Sequence, residues 1–431
     1  MISARRRREV LDALRRGTVP ANGLDQLAVG LGKFERELDA ELDAVAAGGA
    51  AFKAVRGEYG AGKTFFARWL CDRAQKRGFA SAEVQINEID TPLHRLETVY
   101  RRAIESLRTD TMPPSALRPI LDSWLFTVED DAAGPDGEVR DEAVDALLEK
   151  RLADVATQAP VFPLAIRAYR RSVATGDNDL ADGLVAWLGG QPHVAANMKR
   201  QAGIKGDLDH FLAMGFLKGL LAILRDAGHP GLVLVLDEVE TLQRIRSDSR
   251  ARALNALRQL MDEVHDGSFP GLYLLITGTP AFFEGRQGVQ LLPPLADRLR
   301  TDFSRDPRFD NPRAPQLRLT GFDLDKLVEL GGRVRDLFVS HIDDADRVLR
   351  VADDQFLQEF AGSVASGLGG RIGIAPRLFL RKLVDVLDTI EIHPDFDPRA
   401  DYEMKILPAD LTEAEREAVA RRTPDDIELD V

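Results

Sequence analysis

The chain has 431 residues, of which 44% are hydrophobic and 29% charged, and it carries a formal net charge of −13 at pH 7. That length points to about two or three domains with ample apolar material for packed cores. The acidic balance argues against attraction of the whole chain to nucleic acid and leaves only local basic patches open. A single cysteine, Cys71, excludes an internal disulfide and a cysteine-rich metal site. No apolar run approaches the ~18 residues that span a bilayer, and the basic start MISARRRREVLDAL lacks the apolar stretch of a secretory signal. A soluble protein of the reducing cytoplasm is the expectation.

Residues 1–50 read as an N-terminal helical segment. In LGKFERELDAELDAVAAG, Phe34, Leu38, Leu42 and Val45 recur at spacings of three and four on one face, and Gly48 and Gly49 end the helix. AFKAVRG reads as a short buried strand running into GEYGAGKTFFARWL, and the helix that follows stops at Gly78. SAEVQINEI is a second strand candidate, and TPLHRLETVYRRAIESL a helix with Thr91 as cap and Pro92 at its first position.

From 109 to 206 the pattern changes to a mostly helical insertion, too long for a simple loop. Within it, EVRDEAVDALLEKRLADV sets Val144, Leu147, Leu148, Leu152 and Val155 on one stripe. The helix HFLAMGFLKGLLAILRDAG, the strand GLVLVLDEVE, the helix SRARALNALRQLMDEVHDG and the strand GLYLLITGTP then complete a core spanning 51–321. Residues 322–394 are helical again and read as a second domain; 395–431 form an acidic tail expected to be poorly ordered. Strands alternating with helices predict an α/β fold with a parallel sheet flanked by helices on both faces.

Three stretches carry chemistry. Gly57 to Thr64 fit Gly-x-x-x-x-Gly-Lys-Thr, the phosphate-cradling loop. Gly57, Gly60 and Gly62 permit backbone shapes that turn successive N–H groups inward as an anion nest. Glu58, Tyr59, Ala61 and Phe65 complete the expected nucleotide-binding stretch. The helix starting near Lys63 points its positive end at the phosphates. Lys63 is suited to the β- and γ-phosphates, and the Thr64 hydroxyl to a magnesium ion.

In LVLVLDEVETL, five apolar residues, Leu232 to Leu236, deliver Asp237 and Glu238 at the carboxyl end of a strand, where α/β sheets bind ligands. Asp237 is expected to orient the magnesium, directly or through water, and Glu238 to polarise an attacking water, which favours hydrolysis over binding alone. LYLLITGTP ends a further strand in hydroxyls: Thr277 or Thr279 could bond the water or the γ-phosphate, or simply cap a turn.

Other features carry less. Arg5 to Arg8 could touch phosphates or form one solvated helix face; the seven histidines show no metal-ligand spacing. Trp69 and Cys71 read as core, and Trp124 and Trp187 as packing within the insertion.

Phosphate loop, insertion, Asp-Glu strand, Thr-ended strand and C-terminal helices together resemble an AAA+ type ATPase, nearest its origin-recognition side. The resemblance implies that the C-terminal helices form a lid and that Arg377, in GIAPRLFLRKLVDVL, reaches the γ-phosphate. It also implies that an arginine of PPLADRLRTDFSRDPRFDNPR completes a neighbour's site in a homo-oligomer. Arg298 is the first choice there, with Arg300, Arg305 and Arg308 behind it, and a salt-bridged surface is the plainer reading.

RGEYGAGKTFFARWL, GLVLVLDEVETL, LLITGTPAFFEGRQGV, LADRLRTDF with FDNPRAPQLRL, and IAPRLFLRKLVDVLD resemble the BrxC/BrxD-type ATP-binding proteins of BREX phage-exclusion systems, over nearly the whole chain. That likeness implies ATP and Mg2+ as ligands, ATP hydrolysis, antiviral defence and a helicase-like partner. DNA would be reached through that partner or through local basic clusters such as YRRAIESLR and RAYRRSV. The alternatives are a nucleotide-gated scaffold with slow hydrolysis and an origin-recognition-like DNA loader unrelated to phage defence.

Overall fold

A computed structural model describes residues 3–134, 137–367, 376–411 and 416. Its sheet has five strands: β1 (Ala51–Arg56), β2 (Ala80–Gln85), β3 (Leu232–Asp237), β4 (Leu272–Gly278) and β5 (Gln316–Arg318), in the order β2-β3-β4-β1-β5. β2 runs parallel to β3 with Gln85 opposite Asp237, and β3 runs parallel to β4 with Leu236 opposite Ile276. Every residue of β3 and β4 is buried. Such continuous apolar strands suit a sheet covered on both faces, where no position has to face water. The expected α/β class is observed. β5, only three residues long, was not among the expected strands.

The chain divides into two compact units. The first comprises 1–36, 55–72 and 302–431. Helix α1 (Ala4–Arg15) starts at Ser3, whose hydroxyl accepts from the Arg6 N–H as a cap. Its Val10, Leu11 and Leu14 join Leu330, Val334, Phe379 and Leu383 in the core of the C-terminal helices Leu324–Val339, Asp354–Gly367 and Pro376–Ile392. Two arginines pin it there. Arg7 donates to the carbonyls of Leu337, at 3.1 Å, and Phe338, and lies 5.3 Å from the Phe338 ring centre; Arg15 pairs with Asp388 at 2.7 Å.

The second unit comprises 37–54 and 73–301. Its core joins sheet residues to helices Leu96–Ser106, His210–Asp226 and Ser247–His265, and to those of the insertion. The insertion is helical, as expected, with helices such as Leu117–Ala132, Val161–Thr175 and Asn178–Leu188. Trp124 and Trp187 are buried in it, bonded through their indole N–H groups to Asp226 at 2.6 Å and to the Gly206 carbonyl at 3.2 Å. A Cβ on Gly219 would come 2.5 Å from the Phe162 ring, so glycine lets helix His210–Asp226 close on helix Val161–Thr175.

One buried charge cluster anchors this unit. Lys53 of β1, 2% exposed, pairs at 2.5 Å with Glu41 of α2 (Gly32–Ala46), which also accepts from the Tyr273 hydroxyl of β4 at 2.6 Å. Burial, and then the adjacent Glu41 carboxylate, hold the Tyr273 hydroxyl well above its ordinary pKa. Among the described residues no helix is long and apolar enough to cross a membrane. Most of the acidic tail lies outside the described residues.

Candidate nucleotide site

The phosphate loop belongs to the first unit. It leaves β1 at Arg56 and enters helix α3 (Lys63–Gln75) at the lysine itself, so the helix begins where the motif requires. Gly60 and Gly62 take φ of 80° and 90°, the left-handed region that a side chain disfavours. A Cβ on Gly57 would lie 3.0 Å from the Ala61 Cβ and 3.3 Å from the Leu319 Cβ, leaving room for glycine alone.

Lys63 is buried, and its ammonium donates to the carbonyls of Gly57 at 3.0 Å and Glu58 at 3.4 Å, with the Tyr59 ring centre 5.1 Å away. An anionic phosphate would outcompete these two neutral acceptors for the ammonium. The Phe66 N–H donates to the Gly62 carbonyl at 2.8 Å, and Phe66 packs edge-to-face with Phe34 and at a tilt with Trp69, which fixes the helix start below the loop. Phe65 packs, partly buried, against the core of the C-terminal helices.

The acid pair belongs to the second unit. Asp237 ends β3 and is 4% exposed; Glu238 follows at φ 61°, ψ 41°. That left-handed backbone costs a non-glycine residue roughly 1–2 kcal/mol, and four hydrogen bonds hold it. The Glu238 N–H donates to Thr277 Oγ1 at 3.1 Å, and its carbonyl accepts from the N–H and hydroxyl of Thr241 at 3.1 and 2.9 Å. Its carboxylate accepts from Gln85 Nε2 at 2.9 Å. The Thr277 hydroxyl donates to Asp237 Oδ1, and the Ile86 N–H donates to the Asp237 carbonyl at 2.9 Å.

The two threonines left open by the sequence are thereby separated. Thr277 binds both acids, whereas Thr279 precedes the short helix Pro280–Glu284 without capping it through its side chain. Gln85 was missed in the sequence. It is the register partner of Asp237 across β2 and β3, a relation that only the strand order reveals.

The family described as BREX system ATP-binding protein BrxC/D matches residues 2–406. The chain belongs to that family. As a BREX ATP-binding protein it is a nucleotide-binding component of a multi-protein system. Among solved structures it is similar to the ORC2 protein of Aeropyrum pernix, in ADPNP and ADP complexes, at 14% identity over 84% of this chain and 69% of that one, with a TM-score of 0.35. No curated protein matches it.

The arginines sort by their partners. Arg377 is the second residue of helix Pro376–Ile392, as expected, and donates to the Asp410 carbonyl at 2.6 Å; a Cβ on Gly17 would lie 3.1 Å from it. Residues 368–375, which precede it in the family block, lie outside the described residues. Arg298 of the BREX protein pairs with Asp262 and donates to the Pro294 carbonyl at 2.7 Å. Arg308 pairs with Asp306 at 3.0 Å, and Arg300 and Arg305 are exposed.

The basic clusters considered for DNA are largely spent on acids. Arg102 pairs with Glu105 at 2.7 Å, Arg167 with Glu149 at 2.8 Å, Arg170 with Glu129 and Asp141, and Arg171 with Asp145 at 2.7 Å. Arg5 of the N-terminal run pairs with Glu9, and Arg7 is used in docking α1. These ion pairs lower the positive potential that a phosphate backbone would meet.

Proposed function

We propose that this BREX ATP-binding protein hydrolyses ATP to ADP and phosphate, as a switch or motor of its defence system. The phosphate loop binds the triphosphate through its N–H groups and Lys63. Glu238 orients a water and accepts its proton as the new P–O bond forms to the γ-phosphorus and the β–γ bridging bond breaks.

Thr64 and Asp237 would each offer an oxygen to a magnesium ion, whose octahedral shell needs more. The ion would therefore be shared with phosphate and water oxygens, the usual environment of nucleotide magnesium. When bound, it supplies charge neutralisation at the phosphates. Arg377 serves as the lid arginine, which would first have to leave the Asp410 carbonyl.

The observation that carries hydrolysis over simple binding is Glu238 itself. A left-handed, multiply bonded glutamate directly after the buried aspartate is a costly arrangement that nucleotide binding alone does not need. The protein is read as cytoplasmic, acting with a helicase-like partner through which it reaches DNA, because its own arginine clusters are paired with acids. In a homo-oligomer, a neighbour's site would be completed from the 298–308 segment; Arg298 would first give up its pairing with Asp262.

Phosphate release from ATP by the purified chain, with and without duplex DNA and the helicase-like partner, tests this reading. Turnover that falls at least tenfold in Asp237→Asn, about 1.4 kcal/mol of transition-state stabilisation, supports it. A protein that binds ATP but releases no phosphate in any mixture overturns it in favour of a nucleotide-gated scaffold.

A further inference from the structure

The sequence leaves Thr277, like Thr279, open as a contact for the attacking water or the γ-phosphate or as a turn cap, and its surroundings assign it other work. We propose that Thr277 is a positioning residue, a bracket that ties Asp237 to Glu238, and not a sensor of the terminal phosphate. The inference rests on the hydrolytic reading above.

A threonine hydroxyl has one proton and two lone pairs. An ionised aspartate only accepts, so the contact between Thr277 Oγ1 and Asp237 Oδ1 commits that proton to Asp237. The Glu238 N–H, 3.1 Å away, takes a lone pair of the same oxygen. A phosphate oxygen also only accepts, and the hydroxyl has no second proton to give it. Thr277 is moreover 0% exposed, so water does not reach it.

The bracket acts where the strand has to end abruptly. Successive residues of an extended strand point to opposite faces, and a Glu238 continuing β3 would send its carboxylate away from the Asp237 side. The left-handed turn at Glu238 breaks that alternation. Thr277 fixes the turn at its N–H, Thr241 at its carbonyl, and Gln85 fixes the carboxylate. The Thr277 hydroxyl bonds both acids, so its loss should disturb magnesium handling and turnover together.

The test compares Thr277→Val, which removes both bonds at nearly constant shape, with Thr277→Ser, which keeps them. For Thr277→Val we expect kcat to fall about tenfold or more with KM for ATP within about twofold. The ratio of ATP to ADP affinity should be unchanged. The magnesium concentration that half-saturates binding of a fluorescent ADP analogue should rise several-fold. Thr277→Ser should restore all of these. In an Asp237→Asn background, Thr277→Val should add little, since the two residues act as one.

A Thr277→Val protein that loses ATP affinity selectively against ADP, with an unmoved magnesium curve, overturns the bracket in favour of direct phosphate contact. So does one that matches the parent in every readout, or a Thr277→Ser protein that fails to restore the magnesium curve. If Thr277→Val does not fold, the serine protein decides alone: parental behaviour supports the bracket and loss of turnover overturns it. If the parent releases no phosphate, hydrolysis fails as a reading, and the magnesium titration with the ADP analogue still decides the bracket.

Discussion

The phosphate loop and the acid pair make an instructive contrast. In the loop the conformation is set close by in sequence: Gly60 and Gly62 carry the positive φ, and Lys63 donates to carbonyls five and six positions before it. At the acid pair, besides Thr241 three positions on, Glu238 is held from afar by Thr277, 39 positions away, and by Gln85, 153 positions away. Gly57 and Glu58 hold the Lys63 ammonium through neutral carbonyls that a ligand can displace. The acids are set in place by side chains that the ligand has no need to move. One element is built to exchange partners, the other to stay as folded.

The largest effect should come from breaking the tertiary scaffold beneath the second unit. Glu41→Ala removes the carboxylate shared by Lys53 and Tyr273 and should cost about 3 kcal/mol, read as a lower urea midpoint with an unchanged slope. Lys63→Ala should next lower ATP affinity about a hundredfold, ~2.7 kcal/mol, with the urea midpoint near that of the parent. A destabilised Lys63→Ala protein would contradict the contrast.

Gln85→Leu should reduce kcat by about tenfold or less while leaving KM and stability near the parent. A raised KM would mean that Gln85 touches nucleotide. The smallest effect concerns His94, whose pKa burial, and then Arg252 and Arg95, hold below the ordinary 6.5. The folded state favours the neutral ring, so the unfolded chain takes up the proton first. This contribution is present above pH 6.5 and is lost as the pH falls from there through the lowered folded value. His94→Gln should flatten that part of the stability profile measured by urea titration across acidic pH.

The same contrast governs what could be read in advance. β3 and β4 are continuous apolar runs, and the phosphate loop is a contiguous motif, so the α/β class and Gly57 to Thr64 stand in the sequence itself. β5 is three residues beside prolines and has no periodicity to detect. The apolar face of α1 announces a helix but not that Val10, Leu11 and Leu14 meet the C-terminal helices. Thr277 and Thr279 have equal chemistry in one dimension; only the hydrogen bonds of Thr277 to both acids distinguish them. Whether the arginine clusters are open to phosphates is likewise undecided in one dimension; their aspartate and glutamate partners come from other helices.

The central claim is that the loop binds and the acids hydrolyse. Glu238→Gln tests it most directly, with nucleotide occupancy and phosphate release measured on the same sample. The account predicts ATP bound at least as tightly as in the parent, with release slowed about a hundredfold or more. Parental release by Glu238→Gln, or loss of ATP binding in step with release, would contradict it.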